Sequence, residues 1–305
     1  PADVEALMGC KMGEGTVDEA LKALILVIKE NIKVRRFASY EGHCAAYVHG
    51  GGTHGVIVKF DTTDEVAAKP EFVEFGKDIA MQIENYVDAD LLEKFEFRNY
   101  GHALEILHDA FPTEWSELQE CLRKLRLTVA DIKKAGGNES PIPKKFDEVL
   151  YPFGWREIRI SGDLIVKKYP RQAAQRRGKF AKDPYETETI EGYIDGHNID
   201  FLKNRVAFDL EWNSKDQTFD RDLLAMRTYF DCGLVDVGVI VTRAEELNEI
   251  FRQEDILSKY GASTTWMGKL TYRLDSRRNG GCPILAIGIR KECVEEYGRF
   301  QDNER

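Results

Sequence analysis

The chain is 305 residues long, 43% hydrophobic, 31% charged and 10% aromatic, which excludes a disordered or low-complexity protein and leaves room for two domains of roughly 100–200 residues each. Its longest apolar run, Ala23 to Ile28, is far shorter than the ~20 residues that cross a bilayer, and no basic-then-apolar leader opens it, so a soluble, cytoplasmic protein is expected, with no membrane partner. The net charge of −10 argues against a nucleic-acid partner only until its distribution is read: residues 1–90 hold 9 Lys+Arg against 16 Asp+Glu, whereas Arg156 to Lys182 carries nine basic residues against Glu157 and Asp163, a candidate footprint for a phosphate backbone or a solvated loop beside an acidic neighbour.

Six cysteines lie far apart with no C-x-x-C pair, as expected of reduced thiols rather than of a disulfide or zinc framework. His43, His49 and His54 stand near Cys44, but on strand and turn positions they need not converge on a metal.

In chain order, Thr16-Val17-Asp18-Glu19 is a capping box, followed by Leu21, Leu24, Ile25 and Ile28 at helical spacing, which predicts a helix ending near Asn31. Short strands are expected at Val34 to Tyr40, Cys44 to Val48 and Gly55 to Phe60, with a turn at Gly50-Gly51-Gly52, then a helix from Pro70 to Glu84. The runs Glu30 to Phe37, Tyr47 to Gly52, Gly55 to Val58 and Lys77 to Ile83 resemble the core repeat of elongation factor Ts over about residues 3–86. The resemblance implies elongation factor Tu as a partner. In that family a Thr-Asp-Phe stretch helps displace nucleotide, and here the matching stretch is Thr63-Asp64-Glu65, a carboxylate in place of the aromatic ring. The family's amino-terminal docking domain has no counterpart in the chain, which weighs against nucleotide exchange.

From Leu91 the pattern changes, so two domains, 1–90 and 91–305, are expected. Glu93 to Phe97 alternates like a strand, 101–110 and 114–125 read as helices, Lys134 to Pro143 as a loop, Lys145 to Tyr151 as a helix, and Glu157 to Ile160 and Leu164 to Lys168 as strands. Val206 to Asn213 alternates with period two: Phe208, Leu210 and Trp212 face one way, Ala207, Asp209, Glu211 and Asn213 the other. Two carboxylates on one strand face repel unless a divalent cation such as Mg2+ with hard oxygen ligands joins them, and Asp200, a turn upstream, can add a third. Such a cluster beside a basic surface has the parts for phosphodiester hydrolysis by a metal-activated water. An edge strand with solvated acids remains open as the alternative. An amphipathic helix, Phe219 to Phe230, and a nearly continuous apolar strand, Leu234 to Val241, follow.

Residues about 92–298 resemble the BglII/BstYI family of type II restriction endonucleases. The matching pieces are Tyr100-Gly101-His102, Lys145 to Leu150 with Gly154-Trp155, Asp200-Phe201, Arg205-Val206-Ala207, Asp209-Leu210-Glu211, Asp236 to Val239 and Cys282 to Ile289. The resemblance implies an α/β (α+β) fold, with a restriction-endonuclease-like mixed central sheet flanked by helices after a small N-terminal α+β module. It further implies Mg2+ held by Asp200, Asp209 and Glu211 as catalytic residues, double-stranded DNA as substrate, 5'-phosphate and 3'-hydroxyl ends, a palindromic site with a GATC core, and a homodimer. The best-known members carry Glu then Gln where this chain has Asp209 and Glu211. Asn213, Ser214 and Lys215 after the catalytic strand, then Lys269, Arg273, Arg277 and Arg278, and Arg176, Arg177 and Lys179 in the basic stretch, are the expected DNA contacts. Two other readings remain: a binding protein that engages elongation factor Tu, and a DNA-binding protein without cleavage.

Overall fold

Thr16 opens the first long helix as its motif predicts. In the computed structural model, which describes residues 3–34, 37, 39–49, 54–134, 140–171, 179–194 and 197–297, its hydroxyl accepts from the Glu19 N–H at 3.2 Å while Glu19 accepts from the Thr16 N–H at 2.9 Å. Two compact units divide the chain, residues 1–83 and 84–305.

The first unit runs α1 (Val4–Met8), β1 (Lys11–Met12), β2 (Gly15–Thr16), α2 (Val17–Ile28), β3 (His43–His49), β4 (His54–Phe60), α3 (Asp64–Ala67) and all but the last turn of α4 (Pro70–Tyr86). β3 and β4 form an antiparallel hairpin with Ala45 opposite Val58. α4 packs on it where Gly76 lies against Ala45 and Phe60, and the Phe60 and Phe72 rings meet edge to face at 5.1 Å. The strand expected over 34–40 does not form among its described residues, where no neighbouring strand pairs with it. The expected turn at Gly50-Gly51-Gly52 lies outside the described residues.

The second unit follows with α5 (Ala89–Lys94), β5 (Phe95–Tyr100), α6 (Ala103–Ala110), α7 (Pro112–Lys124), α8 (Val129–Lys133), α9 (Pro141–Leu150), β6 (Arg156–Arg159), β7 (Gly162–Lys168), β8 (Glu186–Ile194), β9 (Asn198–Lys203), β10 (Val206–Glu211), α10 (Thr218–Asp231), β11 (Val237–Arg243), α11 (Leu247–Gln253), α12 (Met267–Asp275) and β12 (Ile284–Ile289). Two expected boundaries move. Glu93 and Lys94 close α5 rather than opening a strand. α9 begins at Pro141 rather than Lys145, because Ser140 caps it and a proline in the first turn gives up only an N–H that would be unpaired there.

A six-stranded mixed sheet, ordered β5-β12-β11-β10-β9-β6, organises this unit. β10, β11 and β12 run parallel, while β9 pairs antiparallel to β10 and β5 antiparallel to β12. β10 is therefore interior and all six of its residues are buried, which corrects the edge-strand alternative. Alternation still sorts its side chains. Val206, Phe208 and Leu210 join a core with helices α6, α7 and α9, and Ala207 joins a second core with α10 and α12. The same rule splits β11, with Val237, Val239 and Val241 on one face and Ile240 on the other. Arg205, just before β10, pairs with Asp236, just before β11.

β7 and β8 form a separate antiparallel ribbon. β8, which no sequence signal marked, brings Glu186 and Glu188 beside the basic stretch: Lys168 Nζ lies 3.0 Å from Glu186 and 3.9 Å from Glu188. The local positive charge is thus partly balanced by an acidic strand. Among the described residues no helix is long and apolar enough to cross a membrane.

Candidate active site

β9 and β10 pair up to Phe201 opposite Phe208, and Asp200 and Asp209 follow where that ladder ends. The two acids are tied by backbone. Asp209 Oδ1 accepts from the Asp200 N–H at 2.9 Å and Asp200 Oδ2 accepts from the Leu210 N–H at 2.9 Å. Asp200 is open at the mouth of a cleft, whereas Asp209 is only 4% exposed and Glu211 7%. Glu211 Oε2 accepts from the Thr218 hydroxyl, the first residue of α10, at 3.0 Å.

A fourth carboxylate, Asp222 on α10, completes the wall and is 1% exposed. Its Oδ1 lies 3.2 Å from His197 Nε2, and Arg221 Nε is 3.6 Å away. Helical periodicity places Asp222 beside the buried Leu223, but nothing in the sequence says that the β10-α10-β11 crossover sets that flank over Glu211. A cleft of about 360 Å³ is lined by Asp200, Asp209, Glu211 and Asp222 with Glu157, Arg159, His197, Asn198 and Arg221. A second cavity of about 610 Å³ shares Glu157, Asp200 and Glu211, and Lys144, Tyr151, Asn213 and Ser214 also line it.

The electrostatics follow from this crowding. Burial pushes the Asp209 carboxyl well above the usual carboxylate range, and the charges of Asp222 and Asp200 add to it. Burial likewise raises Glu211 to about 8, helped by Asp222 and opposed by donors from Ser214 and Thr218. Asp200, exposed at its surface yet hemmed in by the protein around its carboxyl, is raised by the desolvation this brings, against the pull of the Leu210 N–H. Carboxylates that resist ionisation beside one another are a fitting donor set for a hard divalent cation, whose charge would relieve them. Among the described residues, no three His, Cys, Asp or Glu side chains group as a metal site.

The two stretches expected to read DNA are brought together. Lys215 bridges to Thr264, the Thr265 N–H donates to the Ser214 carbonyl at 2.9 Å, and the Asp216 N–H donates to the Ser263 carbonyl at 2.9 Å. Lys215 and Arg277 are exposed, Lys269 lies 3.5 Å from Asp216, and Arg278 pairs with Asp220 across the Tyr272 ring. Arg273 is corrected: it is 6% exposed, donates to Asp220 at 2.9 Å and lies over the Phe219 ring, so it braces α12 against α10 instead of facing a ligand. Lys179 is exposed, and Arg176 and Arg177 lie outside the described residues.

Two family models match the chain: Restriction endonuclease BglII/BglIII over residues 95–289 and Elongation factor TS over residues 1–94. Among curated relatives, elongation factor Ts of Dechloromonas aromatica (strain RCB) is 44% identical over 85 residues, 27% of this chain and 26% of that protein. That of Bordetella bronchiseptica is 46% identical over 85 residues with the same shares, and that of Clostridioides difficile is 36% identical over 110 residues, 35% of this chain and 34% of that protein. The chain spans about a quarter to a third of the length of these relatives. Its first residues carry an elongation-factor-Ts segment, and, since the endonuclease model covers well over half of the chain, the protein belongs to the BglII/BglIII restriction endonuclease family.

Proposed function

We propose that this protein is a Mg2+-dependent, site-specific endonuclease of double-stranded DNA, cutting a palindrome with a GATC core as a cytoplasmic homodimer and leaving 5'-phosphate and 3'-hydroxyl ends. One observation carries the reading: Asp200, Asp209 and Glu211, on two adjacent strands of the sheet, all line a single cleft. Mg2+, when bound, supplies positive charge at the scissile phosphate and lowers the pKa of an attacking water. Asp200, Asp209 and Glu211 are the residues that would hold it. Asp209 and Glu211 would hold it from the buried side and Asp200 from the exposed side. Asn213, Ser214 and Lys215, joined to the 263–265 stretch, would meet base edges beside the cut, with Lys269, Arg277, Arg278, Lys179, Arg176 and Arg177 proposed as contacts to the phosphate backbone. A palindrome read by one such surface per half-site calls for two copies related by a two-fold axis. We take residues 1–90 and 91–305 as the two functional modules.

The test is incubation of purified protein with a plasmid carrying many GATC-containing sites, in Mg2+ and in EDTA, beside Asp209→Ala. Discrete fragments only from the unaltered protein in Mg2+ are expected; binding without cleavage in any buffer would replace this reading with that of a non-cleaving DNA-binding protein.

A second reading concerns the first module alone. Its 44% identity to an elongation factor Ts over 85 residues supports contact with elongation factor Tu. Thr63 caps α3 by accepting from the Val66 N–H, and Glu65 is exposed in the first turn, so a carboxylate stands where the family has its aromatic wedge. Co-purification with elongation factor Tu, without accelerated nucleotide release, is the expected result.

A further inference from the structure

His197, just before β9, is pinned twice by α10. The Tyr229 hydroxyl donates to its backbone carbonyl at 2.8 Å, and its Nε2 lies 3.2 Å from Oδ1 of Asp222, two turns back along the same helix. Asp222 is 1% exposed and takes a hydrogen bond from Glu211 on its other side, where Glu211, raised to about 8, carries the proton. Asp222 is thus an acceptor toward both neighbours, which makes the imidazole a donor at Nε2. A neutral imidazole with its proton on Nε2 keeps a lone pair on Nδ1, and that atom has no partner among the described residues. The ring is not sealed in: its side chain is 22% exposed and lines the same cleft as Asp200, Asp209 and Glu211.

Taking a proton from an attacking water requires a free lone pair on a group that titrates near the pH of the medium. Arg221 on α10 and Arg159 on β6 share the cleft but have no lone pair to offer. Asp200, Asp209 and Glu211 of β9 and β10 are committed to the cation in the reading above, and Glu157 of β6 accepts from the Asn198 amide at 2.9 Å. Imidazole, whose charge ordinarily changes between about pH 5 and 8, is left. We propose that His197 is the general base of the cleavage reaction and that Asp222 positions it. The inference rests on the endonuclease reading and deepens it. The water gives its proton to Nδ1 as its oxygen bonds to phosphorus; the P–O3' bond breaks, its electron pair stays on the 3'-oxygen, and that oxygen takes a proton from solvent. The imidazolium, stabilised through Nε2 by the buried Asp222 carboxylate, then returns its proton to solvent.

The experiment is steady-state cleavage of a plasmid carrying GATC-containing sites by the full-length chain in saturating Mg2+, from about pH 5 to about pH 9. His197→Ala should lower kcat by about 10²-fold or more with KM for the duplex little changed, and added imidazole should restore activity in proportion to its neutral form. His197→Gln, whose amide can still donate to Asp222, supplies the second reading should His197→Ala fail to fold. Its kcat should fall as far, and the acid limb of its pH–rate profile should be shallower by one proton. An unchanged kcat in either folded variant, a loss in His197→Ala that imidazole does not relieve, or an acid limb of unchanged slope in His197→Gln would overturn the inference and leave the metal-dependent endonuclease intact. No cleavage by the unaltered protein in any buffer would remove this inference together with the reading beneath it.

Discussion

Asp200 and Asp209 latch one another's strands: each carboxylate takes a backbone N–H of the opposite strand, Asp209 that of Asp200 and Asp200 that of Leu210, both at 2.9 Å. The acids therefore do two jobs, since the same oxygens that would meet a cation hold the ladder between β9 and β10 in register.

That double role separates the effects of two substitutions. Asp209→Asn keeps an oxygen for the Asp200 N–H and removes an acid that must take up a proton on folding, so the metal-free protein should melt a few degrees higher while cleavage falls on the order of 10³-fold or more. Asp209→Ala should lose cleavage equally but melt lower, because the Asp200 N–H is left without an acceptor. Circular dichroism melts beside a plasmid assay distinguish them.

Acidity of the cleft predicts a pH dependence. Glu211, raised to about 8, keeps its proton in the folded cation-free protein where the unfolded chain, near 4.5, has released it, and Asp209 acts in the same direction. The folded state then binds more protons, so stability must fall as pH rises between about 4.5 and about 8. Melting temperatures in EDTA should follow that slope, and saturating Mg2+ should flatten it; a cation-free protein that grows more stable from pH 5 to pH 8 would contradict the assignment.

Gly238 tests the packing behind the site. A Cβ there would stand 2.5 Å from Met226 Sδ and 2.7 Å from Ile284 Cδ1, both in the core under α10. Gly238→Ala should cost about 1–3 kcal/mol, and shortening Met226 to alanine in the same chain should recover part of the overpacking term in chemical denaturation.

Arg273 and Arg277 should part company although they lie in one basic run. Arg273→Ala leaves Asp220 with one partner fewer and opens the contact with Phe219, lowering stability by about 1–3 kcal/mol. Arg277→Ala should leave the melt unchanged, weaken binding to all duplex sequences alike, and reduce the salt dependence of affinity by about one counterion. Fluorescence anisotropy at several salt concentrations reads both quantities.

Much of the site was legible because a strand repeats every two residues: Asp209 and Glu211 must share a face wherever the strand lies, and their flanking Phe208 and Leu210 must share the other. Whether that face was wet or dry was not, since it depends on β9 and β11 closing on both sides of β10. Asp222 was hidden for a related reason, for its position on α10 acquires meaning only when the crossover lays the helix over the sheet. Arg273 read as a free cation because its partner, Asp220, comes from another helix. β8 escaped notice because Glu186 to Ile194 is exposed along nearly all its length, so Ile190 and Tyr193 sit at the surface and no buried face sets up an alternation.

Four of the five acids that line the cleft, Asp200, Asp209, Glu211 and Asp222, fall between residues 200 and 222, on two strands and the helix that follows them; the fifth, Glu157, is on β6. The stretches assigned to reading DNA lie partly outside that span, before residue 183 and after residue 262. Asn213, Ser214 and Lys215, proposed to meet base edges, sit inside that span and the residues proposed for the phosphate backbone outside it, so an exchange of the outer stretches between related proteins should change how tightly a duplex is held rather than which sequence is chosen.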